Sequence, residues 1–265
     1  TVLLEEGKAG KMEVKRPPFQ GLMNVVRFNW HFYLIAVGLI CILLTSHIYL
    51  ENTWKLIPYG LSFLISITTI SSLLVTYFIY DFSDLYEFRW LDEFSVEDNA
   101  SILNINAGFD ETSQILEGKF KKSEVYVCDF YDQERHTEIS IKRARKAYPP
   151  HPGSRRVKTS SLPCPDNKFE IVCVTFAAHE IRNFKERQIF FKELRRVTKM
   201  NGKIFVTEHL RDIYNFIAYG IGSFHFYSQS SWMNVFQSSN LKLLQERKTT
   251  FFVSTFILTP DGTAH

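Results

Sequence analysis

Side chains that could move a proton are concentrated in two short segments of the chain. His179 and Glu180 follow a long apolar run, and His225 and Tyr227 lie in a glycine-broken aromatic segment. A neutral imidazole can take a proton from a hydroxyl group or a phenol, and an adjacent carboxylate can orient the ring. We therefore predict His179, Glu180, His225 and Tyr227 as catalytic candidates. The alternative for His179 is a loop histidine that caps the following helix.

No metal-binding or disulfide motif accompanies these residues. His209 follows a further apolar run and is a weaker candidate base, but its spacing from His179 and His225 matches no known pattern of metal ligands. The four cysteines of the chain include no C-x-x-C pair. The sequence accordingly predicts no metal site and no disulfide framework.

Asp129 stands at the end of the apolar run 125–128, where a carboxylate could recognise a nucleoside. The run lies about twenty residues beyond a turn at 106–110, which itself follows a predicted strand at 101–105. In dinucleotide-binding folds, a carboxylate at such a strand end accepts hydrogen bonds from ribose hydroxyls. Asp129 is thus the strongest single candidate for a binding residue. The alternative is an ordinary turn aspartate.

Hydrophobic patterning identifies the elements that would position these residues. Residues 169–176 form a short apolar run rich in β-branched side chains, which is typical of a strand buried on both faces. Apolar side chains then recur at helical spacing, and residues 203–208 return to an extended pattern. A strand, a helix and a second strand in this order predict a right-handed crossover in a parallel sheet. The helical apolar positions are Phe184, Ile189, Phe190, Leu194 and Val197.

Two motifs flank this unit. LPCPDNKFE at 162–170 leads into the strand, and LRRVTKMNG at 194–202 closes the helix. In order and spacing they resemble the LP-x-PD-x-x-F-[DE] and LRRV-x-K-x-x-G-like elements of class I methyltransferases that depend on S-adenosylmethionine (SAM). The likeness spans about residues 100–258, with the best match in its middle, and its general resemblance is to methyltransferase type 11 and quinone-biosynthesis methyltransferases. It implies an α/β, Rossmann-like fold with a mostly parallel seven-stranded sheet, SAM as cofactor and S-adenosylhomocysteine as product.

The resemblance also implies a set of cofactor-binding positions. Where the family has [DE]-x-G-x-G-x-G, this chain has Asn104, Asn106, Gly108 and Asp110, so only one glycine matches. Asn and Asp can adopt the left-handed backbone that such a turn needs. The alternative is a membrane scaffold or interaction protein that keeps the fold without SAM. The residues expected beside the cofactor are Asn104, Asn106, Ala107, Gly108, Phe109, Asp129, Phe130, Thr159, Ser160, Thr175 and Phe176.

Two segments without Asp, Glu, Lys or Arg precede this domain, at 32–50 and 57–80, in a chain that is 45% hydrophobic. Each is long enough to cross a bilayer as a helix, and buried core helices are the alternative. The connector is short enough to make them a hairpin. Five basic residues precede the first span, whereas only Lys55 lies between the spans, so we predict that the amino terminus and the domain are cytoplasmic.

This pattern divides the chain into four parts. We predict a cytoplasmic or interfacial segment at 1–29, a transmembrane hairpin at 30–80, an interfacial linker helix at 81–99 and the methyltransferase domain at 100–265. A net charge of +3 is too small to indicate a nucleic-acid partner.

The apolar segment 213–227 takes the place of a substrate-covering insertion in the family that the chain resembles. We predict that Phe216, Tyr219, Phe224 and Phe226 line an apolar cavity that opens towards the membrane, with core packing as the alternative. The predicted function is a membrane-anchored, SAM-dependent methyltransferase whose acceptor is lipophilic, such as a phenolic or quinol-like lipid.

Overall fold

The apolar runs beyond residue 100 form one seven-stranded sheet in the computed structural model, which describes residues 3–6, 12–94 and 96–262. The strands are Ser101–Asn106 (β1), Glu124–Asp129 (β2), Arg155–Arg156 (β3), Phe169–Thr175 (β4), Thr198–His209 (β5), Leu241–Thr250 (β6) and Val253–Pro260 (β7). Their order is β3-β2-β1-β4-β5-β7-β6, and only the β5–β7 and β7–β6 pairs are antiparallel. This topology confirms the predicted Rossmann-like methyltransferase fold with its mostly parallel sheet.

Strand register brings the candidate site residues to one edge of the sheet. Asn106 of β1 pairs with Asp129 of β2, and Thr175 of β4 pairs with Thr207 of β5. Because these strands are parallel, their carboxyl ends meet at the same edge, where ligands bind in open α/β sheets.

The helices are Gln20–Ser46 (α1), Leu56–Tyr77 (α2), Ser113–Lys119 (α3), Ile139–Ala147 (α4), Phe184–Val197 (α5), Ile213–Tyr219 (α6) and Gln229–Ser238 (α7). The predicted crossover helix is α5, which begins where the Asn183 side chain accepts a hydrogen bond from the Glu186 backbone N–H. Its apolar stripe, which includes Phe190 and Phe191, is buried against one face of the sheet together with Trp232 of α7.

The opposite face of the sheet is covered by the linker that follows the apolar helices. Instead of the interfacial helix predicted at 81–99, the structure has short 3₁₀ helices at Asp84–Glu87 and Arg89–Glu93. Phe88, Trp90 and Leu91 of this linker are buried and pack against the sheet. A parallel sheet must be covered on both faces, and α3 alone is too short for that, so the linker is part of the core.

The apolar helices α1 and α2 form an antiparallel hairpin, and each is long and apolar enough to cross a membrane. However, α1 begins well before the predicted span. Residues 20–28, which we expected to lie on a membrane surface, are its first turns, and Gln20, Asn24 and Phe28 are buried. The helix bends at Asn29, where the backbone angles are not helical. Beyond that bend its apolar side chains are exposed.

The start of α1 is held against the end of the hairpin by Asp81. Its two carboxylate oxygens accept hydrogen bonds from the backbone N–H groups of Gly21 and Leu22, both at 2.8 Å. These N–H groups have no partner within the helix, and a carboxylate there also complements the helix dipole. Within the predicted segment 1–29, residues 1, 2 and 7–11 lie outside the described residues, and Leu3–Glu6 pairs with Met12–Lys15 in a separate antiparallel ribbon.

Candidate active site

A cavity of about 320 Å³ lies between the carboxyl edge of the sheet and the first half of α1. The sheet contributes Ala107 after β1 and Thr175 at the end of β4, and α1 contributes Asn24, Val25 and Phe28. Cavities at this edge are the usual ligand sites of such folds. The predicted residues Phe109, Phe176, His179, Glu180 and His225 also line it.

The turn after β1 keeps its shape through side-chain hydrogen bonds. The buried Asn104 amide donates to the hydroxyls of Thr112 and Ser113, both at 2.8 Å, and the Asn106 side chain accepts from the Gly108 N–H at 3.1 Å. The left-handed backbone expected at Asn106 and Asp110 is absent from both. Gly108 alone has it in this turn, with φ of 99°, because only glycine adopts this conformation without steric cost.

Asp129 lies where the sequence placed it, buried at the end of β2, but its carboxylate already has two partners. One oxygen accepts from the Tyr131 N–H at 2.8 Å, and the other accepts from the Arg145 guanidinium at 2.6 Å. Arg145 also donates to the Gly108 carbonyl at 3.2 Å and stacks over the Tyr131 ring. The position next to Asp129 is therefore filled by an arginine from α4.

His179 lines the cavity, in a 3₁₀ turn at Ala178–Glu180. Its Nδ1 is 2.7 Å from Glu208, whose other carboxylate oxygen accepts from the His179 backbone N–H at 3.2 Å. Its Nε2 is 3.3 Å from Glu180, and the His225 ring lies beside it with a centre-to-centre distance of 5.2 Å. The carboxylate that fixes the imidazole is therefore Glu208, with Glu180 on the opposite ring nitrogen.

The charges around His179 change its protonation. Burial opposes the charged imidazolium, but the nearby carboxylates of Glu208 and Glu180 outweigh that effect and raise the pKa of His179 to about 10. Burial likewise opposes the charged form of Glu180, and its contacts with His179 and His225 reverse this and lower its pKa. In the described arrangement His179 carries a proton at neutral pH, unlike the neutral base that the sequence predicted.

Residues 103–206 match a family model described as a methyltransferase domain. The matched residues include most of β1, all of β2 and β4, and the Asp129 strand end. This part of the chain is therefore similar to a methyltransferase domain, and the similarity indicates SAM as the cofactor. A comparison with curated proteins finds no match.

Solved structures similar to the chain include three methyltransferases. A SAM-dependent methyltransferase from Aquifex aeolicus has 15% identity and a TM-score of 0.46, over 64% of this chain and 87% of its own. One from Methanosarcina mazei has 15% identity and a TM-score of 0.46, over 64% and 97%. One from Clostridium acetobutylicum has 11% identity and a TM-score of 0.48, over 67% and 90%.

The carboxyl edge of the sheet has open space for one half of SAM, whereas the position for the other half is filled by side chains. Near the ends of β1 and β4, Ala107 and Thr175 border open space that suits the methionine half. Asp129 suits the ribose hydroxyls, but a Cβ on Gly108 would lie 2.8 Å from the Tyr131 ring and 2.9 Å from Arg145, so this end is filled. The Arg145 side chain is 26% exposed, and it must leave Asp129 before a ribose can take its place.

Several predicted cofactor residues have other roles in the methyltransferase domain. Phe130 packs against Phe190 in the core, and the Thr159 hydroxyl donates to Glu186 at 2.6 Å. Ser160 is exposed, and none of Phe130, Thr159 and Ser160 is among the described residues lining the cavity. The adenine side of the site is consequently not defined by these predictions.

Tyr227 and His209 are structural in this arrangement. The Tyr227 hydroxyl donates to the backbone carbonyl of Arg182 at 3.1 Å, and its ring packs on Trp232. His209 is buried, with Nε2 2.8 Å from the Tyr80 hydroxyl and Nδ1 3.0 Å from the Phe252 carbonyl. Burial lowers the pKa of His209 to about 4, so this ring is neutral.

The predicted substrate residues do not line the described cavity. Phe216 and Phe224 are 46% and 62% exposed on the outer side of α6 and the following 3₁₀ helix, while Tyr219 and Phe226 pack around His209. The segment 213–227 therefore presents an apolar surface beside α2, and its role as a wall of a substrate cavity stays a prediction.

Sequence reasoning missed Glu208, Arg145 and the α1 residues. Glu208 is the last residue but one of β5, so the rule that ligands bind at the carboxyl edge could have found it. Arg145 lies in a basic run whose sequence does not distinguish an inward from an outward arginine. Asn24 and Phe28 lie far from the domain in sequence, and only the folded chain places them at the cavity.

Proposed function

We propose that this protein is a membrane-anchored methyltransferase that transfers the methyl group of SAM to a lipophilic acceptor at the cytoplasmic face of a membrane. A phenolic or quinol-like lipid is the favoured acceptor class. The observation that carries the proposal is the shared cavity, because its walls come both from the methyltransferase domain and from α1. An acceptor in the bilayer would thus meet the sheet edge where the helix leaves the domain.

The apolar character of α1 supports entry from a membrane. Val25 and Phe28 line the cavity, and beyond the bend at Asn29 the same helix exposes Phe32, Leu34 and Ile35. Exposed apolar side chains in a continuous helical stretch are typical of a surface that faces lipid. The exposed α6 segment at 213–224 extends this surface beside α2.

Polar contacts fix α1 over the cavity. One oxygen of Glu111 accepts hydrogen bonds from Arg16, Gln20 and Asn24, each at 3.1 Å, and the other accepts from Tyr86 at 3.0 Å. A carboxylate with four donors holds its partners more firmly than an exposed ion pair does. The helix is therefore a fixed wall of the site as well as an anchor.

The residues around the cavity suit methyl transfer to an oxygen. SAM supplies an electrophilic methyl group on a positively charged sulfur, so the protein has mainly to align the acceptor and exclude water. Phe28 and Phe176 provide apolar walls, and Glu208 fixes the imidazole of His179 at one end of the cavity. The cytoplasmic orientation rests on the excess of basic residues before the first span.

The proposal can be tested with the full-length protein in lipid nanodiscs and radiolabelled SAM. Two acceptors with the same quinol ring are compared, one with a prenyl tail and one without. We expect kcat/KM to be at least ~10-fold higher for the tailed acceptor, because burial of each CH₂ group favours binding by about 0.8 kcal/mol. Faster turnover of the tail-less acceptor would contradict the lipophilic assignment.

A pair of variants locates the entry route. Phe28→Ala, at the cavity, is expected to lower kcat/KM for the tailed acceptor by about 10-fold through lost apolar contact. Phe32→Ala is the control, because Phe32 is one turn further along α1 and 61% exposed. SAM affinity, measured by calorimetry, should be unchanged in both. Equal losses in the two variants would contradict entry past Phe28.

A further inference from the structure

We propose that His179, Glu180 and His225 bind a divalent transition-metal ion, zinc by their donor set, with one coordination position open to the cavity. The sequence predicted no metal site because His179 and His225 lie far apart in the chain with no motif spacing. The fold brings them together: one ligand atom from each of the three residues lies within 4.8 Å of the other two. Two imidazoles and a carboxylate form the ligand set of several catalytic zinc sites.

The distances are close to those of a tetrahedral ion. His179 Nε2 is 3.3 Å from Glu180 Oε1, and His225 Nε2 is 3.8 Å from the same oxygen. Ligands about 2.0–2.2 Å from zinc lie about 3.3–3.6 Å from one another in tetrahedral geometry. Small rotations of the His225 side chain, which is 30% exposed, would complete the set, with the ion replacing the proton between His179 Nε2 and Glu180.

Each histidine also has a carboxylate beside its other ring nitrogen. His179 Nδ1 is 2.7 Å from Glu208, which is completely buried, and His225 Nδ1 is 3.4 Å from Glu138. Metal-ligating histidines commonly donate their second N–H to a carboxylate, which orients the ring and strengthens it as a ligand. A buried glutamate in this position is the second, independent observation in favour of the site.

Arg182 is the positive charge nearest to this site. Its Nη2 lies 2.5 Å from both ring nitrogens of His225 and 3.6 Å from Glu138, and its Nη1 donates to the His225 carbonyl at 2.7 Å. The guanidinium must leave His225 Nε2 before an ion can bind there, and the Arg182 side chain is 43% exposed, so it can turn towards solvent. Three carboxylates, from Glu138, Glu180 and Glu208, surround the two rings and favour a doubly charged ion there.

The open position faces the cavity, since all three ligand residues line it. There the ion would take the acceptor oxygen, whose proton leaves to solvent water. That oxygen then forms the new O–CH₃ bond, while the S–CH₃ bond of SAM breaks and its electron pair stays on sulfur. This role rests on the proposed function, whereas binding of the ion does not.

The test measures zinc on purified full-length protein in detergent, with no acceptor present. After dialysis against one equivalent of zinc with a competing chromophoric chelator, we expect about one ion per chain. His225→Ala and Glu180→Gln should each weaken zinc binding by at least ~10-fold. His151→Ala is the matched control, because His151 also lies 3.3 Å from a carboxylate, that of Glu117, and should bind zinc like the parent protein.

Two readouts protect the test from folding defects. Variants are compared only if their SAM binding by calorimetry equals that of the parent chain. Cobalt(II) substitution of the parent protein, which needs no variant, should give the intense visible bands of a tetrahedral site. Absence of both zinc and these bands in the parent chain would overturn the proposal, even if lipid methylation is observed. Zinc binding without lipid methylation would overturn the proposed function alone.

Discussion

The two regions of the candidate site, the ribose end at Asp129 beside the cavity and the histidine end within it, are built in opposite ways. At the ribose end, the chain fills its own binding position, because Arg145 bonds to Asp129 and to the Gly108 carbonyl. At the other end, His179 and His225 border open space and are held from behind by Glu208 and Glu138. The Asp129 region must break a largely buried ion pair before it can bind a ligand, whereas the histidine end requires only that the exposed Arg182 side chain leave the His225 ring.

This difference separates the requirements of cofactor binding from those of chemistry. At the ribose end, SAM must displace Arg145 from Asp129. The affinity for SAM therefore includes the free energy needed to break this ion pair. The histidine end requires rigid geometry, which a buried carboxylate supplies. Changes at the ribose end should therefore alter SAM affinity, and changes at the histidine end should alter the rate of transfer.

The largest effect is expected for Glu208→Gln. The amide keeps the shape but loses the charge that orients His179, so we expect the single-turnover rate of methyl transfer to fall by about 100-fold. SAM affinity should change by less than ~2-fold. The control is Glu170→Gln, at the opposite edge of the sheet, where the carboxylate accepts from the Ser101 N–H at 2.7 Å. A loss of SAM affinity in Glu208→Gln would break the division between the two ends.

Asp129→Asn should give the next largest effect. Hydrogen bonds from ribose hydroxyls to a carboxylate are worth more than bonds to an amide, so we expect calorimetry to show about 30-fold weaker SAM binding. Asp132→Asn is the control, since Asp132 lies in the same loop and is 44% exposed. If SAM binds neither the parent chain nor Asp129→Asn when both are well folded, the cofactor assignment fails.

Arg145→Ala should act in the opposite direction. Removal of the guanidinium frees Asp129 and the space beside Gly108, so we expect SAM to bind about 5-fold more tightly. Lys142→Ala, on an exposed position of the same helix, should leave the affinity unchanged. Weaker SAM binding by Arg145→Ala would mean that the arginine is part of the cofactor site, and the two ends would then differ less than proposed.

The sequence predicted the sheet well because its signals are local. Buried runs such as Phe169–Thr175 and the helical stripe of α5 have the periods that packing on both faces requires. It failed at the linker 81–99, where Leu85, Tyr86 and Leu91 alternate with charged residues and suggested a helix on a membrane surface. A segment of mixed polarity can pack on the sheet or lie on a membrane surface. The choice depends on how much of the sheet face α3 leaves uncovered.

The candidate site was predictable only where a strand end fixes it. Asp129 and His179 follow strands, so their places at the edge of the sheet follow from topology. The direction of the Arg145 side chain and the approach of α1 depend on tertiary packing that no local pattern records. The same holds for the exposed residues Phe216 and Phe224. The sequence pattern of an apolar segment is the same whether its side chains face a cavity or the outside of the protein.

The smallest effect is expected for Tyr227→Phe, at a residue that the sequence placed among the catalytic candidates. Its hydroxyl donates to the Arg182 carbonyl, and Tyr227 is not among the described residues that line the cavity. Loss of this one hydrogen bond should lower the free energy of unfolding by about 1 kcal/mol and change the transfer rate by less than ~2-fold. Denaturant titration and single-turnover assays measure the two quantities. If the transfer rate falls by ~10-fold or more at unchanged SAM affinity, Tyr227 contributes to the reaction. The histidine end of the site then includes Tyr227 as well as His225.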